Sequence, residues 1–75
     1  MSLHTYIKVL DKAKLAELAA RCDTTAGQLK QIAYGHRRAS GGLAVSLERE
    51  TQGQVTCELL RPDIDWAYLR GSKVA

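Results

Sequence analysis

The sequence predicts an all-α domain, a compact bundle of four to five helices with a short C-terminal extension. Apolar residues recur at i, i+3, i+4 and i+7 in two segments, 3–10 and 15–22, as expected for helices with one buried face. The segment 43–52 shows no strand-like alternation and is followed by Gly53, which indicates a further helix. Seventy-five residues suffice for one small core. We therefore expect a single domain over residues 1–70 and a disordered tail over 71–75.

Capping and stop signals give the helix boundaries. Side chains that accept hydrogen bonds from a first helical turn occur at Ser2, Asp11, Thr25, Ser40 and Thr56. Gly35 and Gly53 are expected to end helices, because glycine readily adopts the left-handed conformation. The predicted helices occupy residues 2–10, 12–21, 26–34 and 41–52, followed by a short helical turn at 57–60 and a final turn or short helix at 63–69. The main alternative is a strand at 54–60.

Residues 16–35 predict two short helices joined by a tight corner. Ala19 supplies the small residue at the inner angle, and Asp23 is expected to turn the chain through a left-handed conformation, which Asp tolerates. The inner face of the second helix holds Leu29, Ile32 and Ala33. This pattern is typical of the helix-turn-helix, whose second helix enters the major groove of DNA. Amphipathic helical hairpins that bind no DNA share much of it.

Positive charge is concentrated around the second helix of this pair. Residues 1–23 hold four Lys or Arg and three Asp or Glu, for a net charge of +1. Residues 24–47 hold three bases and no acid, for +3, and residues 48–75 hold four bases and five acids, for −1. Clustered positive charge on one element favours nucleic-acid binding. The alternative is a short, solvated basic loop.

Two resemblances extend this interpretation. The Ala-Glu-Leu-Ala, Thr-Thr and terminal Gly elements of residues 16–35 resemble the DNA-binding domains of Cro and the repressors of lambdoid phages and the wider XRE-type regulators, with Asp23 in place of glycine. The C-terminal Gly-Gln-Val-Thr and Leu-Arg-Pro-Asp-Ile-x-Trp sequences look like the tail of small YdaS-type prophage regulators. The matching residues are Val55, Thr56, Leu60, Arg61, Pro62 and Asp63. Asp65 departs from that pattern.

The resemblance implies a lambda-repressor-like fold and a sequence-specific, Cro-like repressor of phage or prophage type that binds double-stranded operator DNA. The helix at 26–34 would enter the major groove. The expected base-reading residues are Gln31, Gln28, Lys30, Ala26 and Gly27. The expected phosphate contacts are Thr25, Arg37, Arg38, Tyr34, His36 and Ser40. Simpler roles are an exposed surface position for Gln31, helix capping for Thr25 and packing on the fourth helix for Tyr34.

Other functional classes find little support in the sequence. It contains no Gly-rich phosphate loop, no nucleophile and base at a recognisable spacing, and no metal-ligand pattern among Cys22, Cys57, His4 and His36. We therefore expect no enzyme, no cofactor and no metal site. Without an apolar run of about 18 residues or a signal peptide, we expect a cytoplasmic protein with no membrane partner. The apolar C-terminal segment around Trp66 suggests a homodimer. The alternative function is an antitoxin or a protein-binding adaptor.

Overall fold

The computed structural model describes residues 1–72. The helices in this range are α1 (Leu3–Lys8), α2 (Lys12–Arg21), α3 (Ala26–Ala33), α4 (Gly41–Glu50), α5 (Cys57–Leu60) and α6 (Trp66–Ser72). The all-α prediction is confirmed. Residues 54–60 form no strand, because Thr56 caps the short helix α5 there. No helix within residues 1–72 combines the length and the apolar character needed to cross a membrane.

Local side-chain caps explain where the first five helices begin. The oxygens of Ser2, Asp11, Thr25, Ser40 and Thr56 accept hydrogen bonds from backbone N–H groups three residues further on, at 3.2, 2.7, 3.2, 3.1 and 3.4 Å. Each bond satisfies one donor that the helix itself leaves free and typically contributes about 1 kcal/mol. All five predicted caps are confirmed.

The corner between α2 and α3 is closed by Asp23 in the left-handed conformation, with φ of 58°. The N–H of Thr24 donates to the carbonyl of Ala19 at 2.9 Å, and that of Asp23 donates to Ala20 at 3.1 Å. This pair of bonds is a Schellman motif with aspartate at the position that glycine usually occupies. Ala19 is buried at the inner angle. The predicted corner is therefore confirmed.

The bounds of four helices differ from the prediction. α1 spans only Leu3–Lys8. α3 ends at Ala33 rather than at residue 34. α4 ends at Glu50 rather than at residue 52, because the left-handed conformation begins at Gln52, with φ of 57°, and continues at the predicted Gly53, with φ of 81°. The buried Thr51 makes this early end favourable, since its hydroxyl donates to the Leu47 carbonyl at 2.6 Å and accepts from the Val55 N–H at 3.1 Å.

The last helix begins at Trp66 and not at residue 63. Asp63 is held in a turn by Arg61, while Asp65 accepts a hydrogen bond from the N–H of Tyr68 at 3.1 Å and so begins α6. The helix continues to Ser72, two residues past the expected domain boundary at 70. The rest of the expected disordered tail, 73–75, lies outside the described residues.

Two apolar clusters hold the helices together. The larger one contains Leu3, Ile7, Leu15, Leu18, Ala19, Cys22, Leu29, Leu47 and Val55. The smaller one joins Ala44, Cys57 and Trp66. Leu29 of α3 is completely buried, which contributes roughly 1.5–3 kcal/mol for a side chain of this size. The burial of Leu29 therefore determines which face of α3 points outward.

Candidate nucleic-acid interface

α3 presents an exposed crest on the side opposite Leu29. Gly27, Gln31 and Tyr34 lie along this crest, and all three are exposed. The helix has eight residues and is therefore about 12 Å long. The crest carries no carboxylate, so one full side of α3 offers amide, hydroxyl and backbone groups.

The Gln28 side chain is held in place at the start of α3. Its Oε1 accepts a hydrogen bond from the hydroxyl of Thr24 at 2.8 Å, while its backbone N–H is capped by Thr25. The amide nitrogen thus remains as the free donor. Gln28 is exposed, so this donor is available to a ligand on the surface of α3.

Gly27 has no packing reason to be glycine. A Cβ added there would meet no atom within 4 Å, and its φ is not positive. A glycine inside a helix costs roughly 1 kcal/mol relative to alanine. The sequence tolerates this cost on the exposed crest.

A polar cleft lies beside α3, between its N-terminus and that of α4. The cleft encloses about 410 Å³ and is lined by Cys22, Asp23, Thr24, Gln28, Ser40, Gly42, Leu43 and Ser46. The fold thus brings Gln28, an expected base-reading residue, next to Ser40, an expected phosphate contact. Asp23 is the charged residue in this lining. Because this lining includes no Lys or Arg, an anion in the cleft would be bound by hydroxyl and backbone N–H groups.

The opposite flank of α3 is basic. A groove of about 380 Å³ is lined by His4, Ile7, Lys8, Leu10, Lys12, Leu15, Ala16, Ala26, Lys30 and Tyr34. Lys8 and Lys12 are functional candidates that the sequence did not single out, because their proximity to Lys30 arises only when α1 and α2 pack on α3. The Tyr34 ring lies beside His4 of α1, with ring centroids 5.2 Å apart.

The predicted phosphate-binding loop lies at the other end of α3. Gly35, with φ of 82°, ends the helix, and His36, Arg37 and Arg38 follow as exposed residues. Arg38 Nη1 lies 3.6 Å from Oδ2 of Asp63. Within residues 1–72, no ion pair involves Arg37 or Lys30. The three loop residues line a depression shared with the N-terminus of α1, and not the cleft that contains Gln28 and Ser40.

Both cysteines are buried and structural. Burial raises the pKa of the Cys22 thiol, and the carboxylate of Glu50 raises it further. Such a thiol stays protonated and unreactive near neutral pH. Among the described residues, no group of three His, Cys, Asp or Glu side chains is placed to hold a metal ion.

Comparison with known proteins places this architecture in a family. Residues 14–69, from α2 into α6, match the family described as "Bacterial toxin YdaS". The chain belongs to the YdaS family. The Leu-Arg-Pro-Asp segment noted in the sequence lies inside the matched region, so that resemblance is confirmed, whereas membership of the Cro or XRE-type regulators is not shown.

Two proteins of Escherichia coli (strain K12) are similar to this chain. A proposed transcriptional regulator called YdaS is 53% identical over 44 residues, which are 59% of this chain and 45% of that protein. A prophage transcriptional regulatory protein is 39% identical over 62 residues, which are 83% of this chain and 94% of that protein. The chain thus covers less than half of the first relative and nearly all of the second.

Proposed function

We propose that this chain is a DNA-binding transcriptional regulator of prophage type that inserts α3 into the major groove. The observation that carries the proposal is the geometry of α3. A left-handed corner at Asp23 and a cap at Thr25 lead into a helix whose outward crest carries no acid. The names of the two relatives support the regulatory role.

Base reading is assigned to the crest and its margins. Gln31 is exposed and can form two hydrogen bonds with adenine. Gln28 offers a donor whose position is set by Thr24. Ala26 and Gly27 are small, which allows the helix to approach the base edges closely, and Lys30 lies at the margin beside the basic flank.

Phosphate contacts are assigned to groups near the two ends of α3. Near its N-terminus, Ser40 and Thr25 offer hydroxyl groups at helix starts. Arg37, Arg38 and His36 offer positive or polar side chains after the helix, and Tyr34 offers a hydroxyl. Contacts of this kind position a protein on the duplex and supply most of the sequence-independent affinity.

More specifically, the proposed regulator is a repressor that binds DNA as a homodimer. Trp66 is buried and its indole Nε1 donates to the Arg61 carbonyl at 2.7 Å, so it anchors the C-terminal segment to the core. The apolar side chains left exposed around it are Leu59, Tyr68 and Leu69. These three residues are the candidate contacts between two copies, since dimers bind the two halves of a palindromic operator.

The test is selection of bound duplexes from a random DNA pool at physiological salt. An enriched inverted repeat would support sequence-specific, dimeric binding and would give the half-site spacing. A single enriched half-site would support binding by a monomer and contradict the dimer. Binding without enrichment would contradict sequence-specific regulation.

A second candidate function follows from the family description as a bacterial toxin and from the exposed apolar residues of the C-terminal segment. In that case the chain would act on a protein partner. The antitoxin or adaptor alternative is a different role, but it also requires a protein partner. The salt dependence of binding separates the two. DNA affinity falls steeply with salt because counterions are released, whereas an apolar protein contact shows little such slope.

A further inference from the structure

Two side chains of the Leu-Arg-Pro-Asp segment hold the loop between α3 and α4. Arg61 donates twice to Asp63, from Nε to Oδ1 at 2.9 Å and from Nη2 to Oδ2 at 2.8 Å. Its remaining nitrogen, Nη1, donates to the backbone carbonyl of Ala39 at 3.0 Å, a residue 22 positions earlier. We refer to Arg61, Asp63 and the Ala39 carbonyl as the Arg61 clamp. A two-pronged pair restricts the guanidinium to one plane, so the clamp determines where Ala39 lies.

The Arg61 clamp is connected to the hydrophobic core through Trp66. The Arg61 carbonyl accepts from the indole of Trp66, and Trp66 packs with Ala44 and Cys57. The Arg61 side chain is only one-fifth exposed, so its hydrogen bonds are partly shielded from water. The Arg61 guanidinium also lowers the pKa of Asp63 to about 2, so the carboxylate is charged throughout the neutral range.

The clamp touches two groups that are assigned to phosphate binding. Asp63 Oδ2 faces Arg38 Nη1 at 3.6 Å. Ala39 directly precedes Ser40, whose hydroxyl caps α4 and lines the cleft beside Gln28. The C-terminal segment therefore reaches the groups assigned to phosphate binding, and its residues Leu59, Leu60 and Pro62 line the same depression as loop residues 36–38.

We propose that Arg61 and Asp63 are positioning residues for DNA binding, which place Arg38 and the start of α4 against the sugar-phosphate backbone. This inference rests on the proposed function. Arg61 neutralises the Asp63 carboxylate, so Asp63 orients Arg38 without cancelling its attraction for phosphate. Two of the matching residues outside the helix-turn-helix, Arg61 and Asp63, thereby acquire a role in DNA binding.

If Asp63 affected DNA binding only through its charge, replacing it would change the affinity in the opposite direction from the loss of a positioning residue. Asp63→Asn removes a negative charge near a polyanion, which by charge alone tightens binding. Positioning predicts weaker binding, because the clamp and the orientation of Arg38 are lost. Asp65→Asn is the matched control, since it removes the same charge two residues away and asparagine still caps α6.

The experiment measures the affinity of the full chain for one duplex at several salt concentrations, using the wild type, both Asn variants and Arg61→Lys. Arg61→Lys keeps the net charge but cannot form the planar two-pronged pair. Circular dichroism and thermal melting establish which variants are folded. We expect Asp63→Asn and Arg61→Lys to bind roughly three- to tenfold more weakly. We also expect a salt slope smaller by about one, while Asp65→Asn binds at least as tightly as the wild type.

Each outcome decides a different point. Weaker binding by the folded clamp variants with a reduced salt slope supports positioning, since a general loss of stability would leave the slope unchanged. Affinities equal to that of Asp65→Asn overturn the inference and leave the proposed function intact. Absence of DNA binding by the wild type overturns the proposed function, and this inference with it. If Asp63→Asn does not fold, Arg61→Lys alone decides between the first two outcomes.

Discussion

Gly27 offers a substitution that should improve the fold and impair the function. In Gly27→Ala, the added methyl group meets nothing within 4 Å in the free protein. Alanine is favoured over glycine inside a helix by about 0.5–1 kcal/mol. For a domain of this size, that gain raises the melting temperature by roughly 2–8 °C. Thermal unfolding followed by circular dichroism measures it directly.

The same methyl group stands on the crest of α3, where base edges would approach. If the helix backbone lies close to the groove floor, the methyl group holds α3 away and lengthens the hydrogen bonds of Gln31. Loss of one good base contact costs about 1–3 kcal/mol, which is a factor of roughly 5 to 150 in affinity. We expect this loss for the selected duplex and a much smaller one for an unrelated duplex, where phosphate contacts dominate.

The assay compares wild type and Gly27→Ala by titrating both duplexes at one salt concentration, and the unrelated duplex serves as the control. A higher melting temperature with unchanged specific affinity would refute the close approach of α3. A lower melting temperature would refute the structural reasoning itself, because it would mean that residue 27 is packed or strained in the free protein.

Three further predictions concern single side chains. Gln31→Ala should reduce the base preference at one position of each half-site and leave the affinity for unrelated DNA nearly intact. Repeating the pool selection with this variant measures the preference, and an unchanged preference would show that Gln31 does not read bases. Arg37→Ala should weaken binding to all duplexes and reduce the salt slope by about one. Arg49→Ala removes another exposed arginine, at the end of α4 beside Glu50, and should do neither. Equal effects of the two substitutions would indicate that positive charge anywhere on the surface contributes equally. Asp63 has a pKa lowered by Arg61 to about 2, so its pair contributes stability above the ordinary pKa of 3.8 and loses it as the pH falls toward 2. Trp66 fluorescence should therefore change between pH 4 and pH 2 in the wild type, and the same change in Asp63→Asn would assign it to another group.

Much of the helix-turn-helix could be predicted from the sequence because its signals are local. A cap such as Thr25 binds an N–H only three residues away, so its effect does not depend on the rest of the chain. The corner at Asp23 likewise depends on bonds to Ala19 and Ala20. The apolar period of α3 then determines that Gly27 and Gln31 face outward.

Boundaries that depend on distant partners were harder to predict. α4 stops at Glu50 because Thr51 is drawn into the core by bonds to Leu47 and Val55, and a sequence of helix-compatible residues up to Gln52 gives no sign of this. The start of α6 depends on the pairing of Asp63 with Arg61, which removes residue 63 from the helix.

The sequence by itself determined the all-α class, the five helix caps, the left-handed corner and the outward face of α3. Tertiary structure alone decided what flanks that face. Packing of α1 and α2 on α3 brings Lys8 and Lys12 beside Lys30. The Arg61 guanidinium reaches the Ala39 carbonyl across 22 residues. The physical reason is one of range: caps and turns depend on neighbours within a few residues, whereas the surroundings of a binding surface depend on the path of the whole chain.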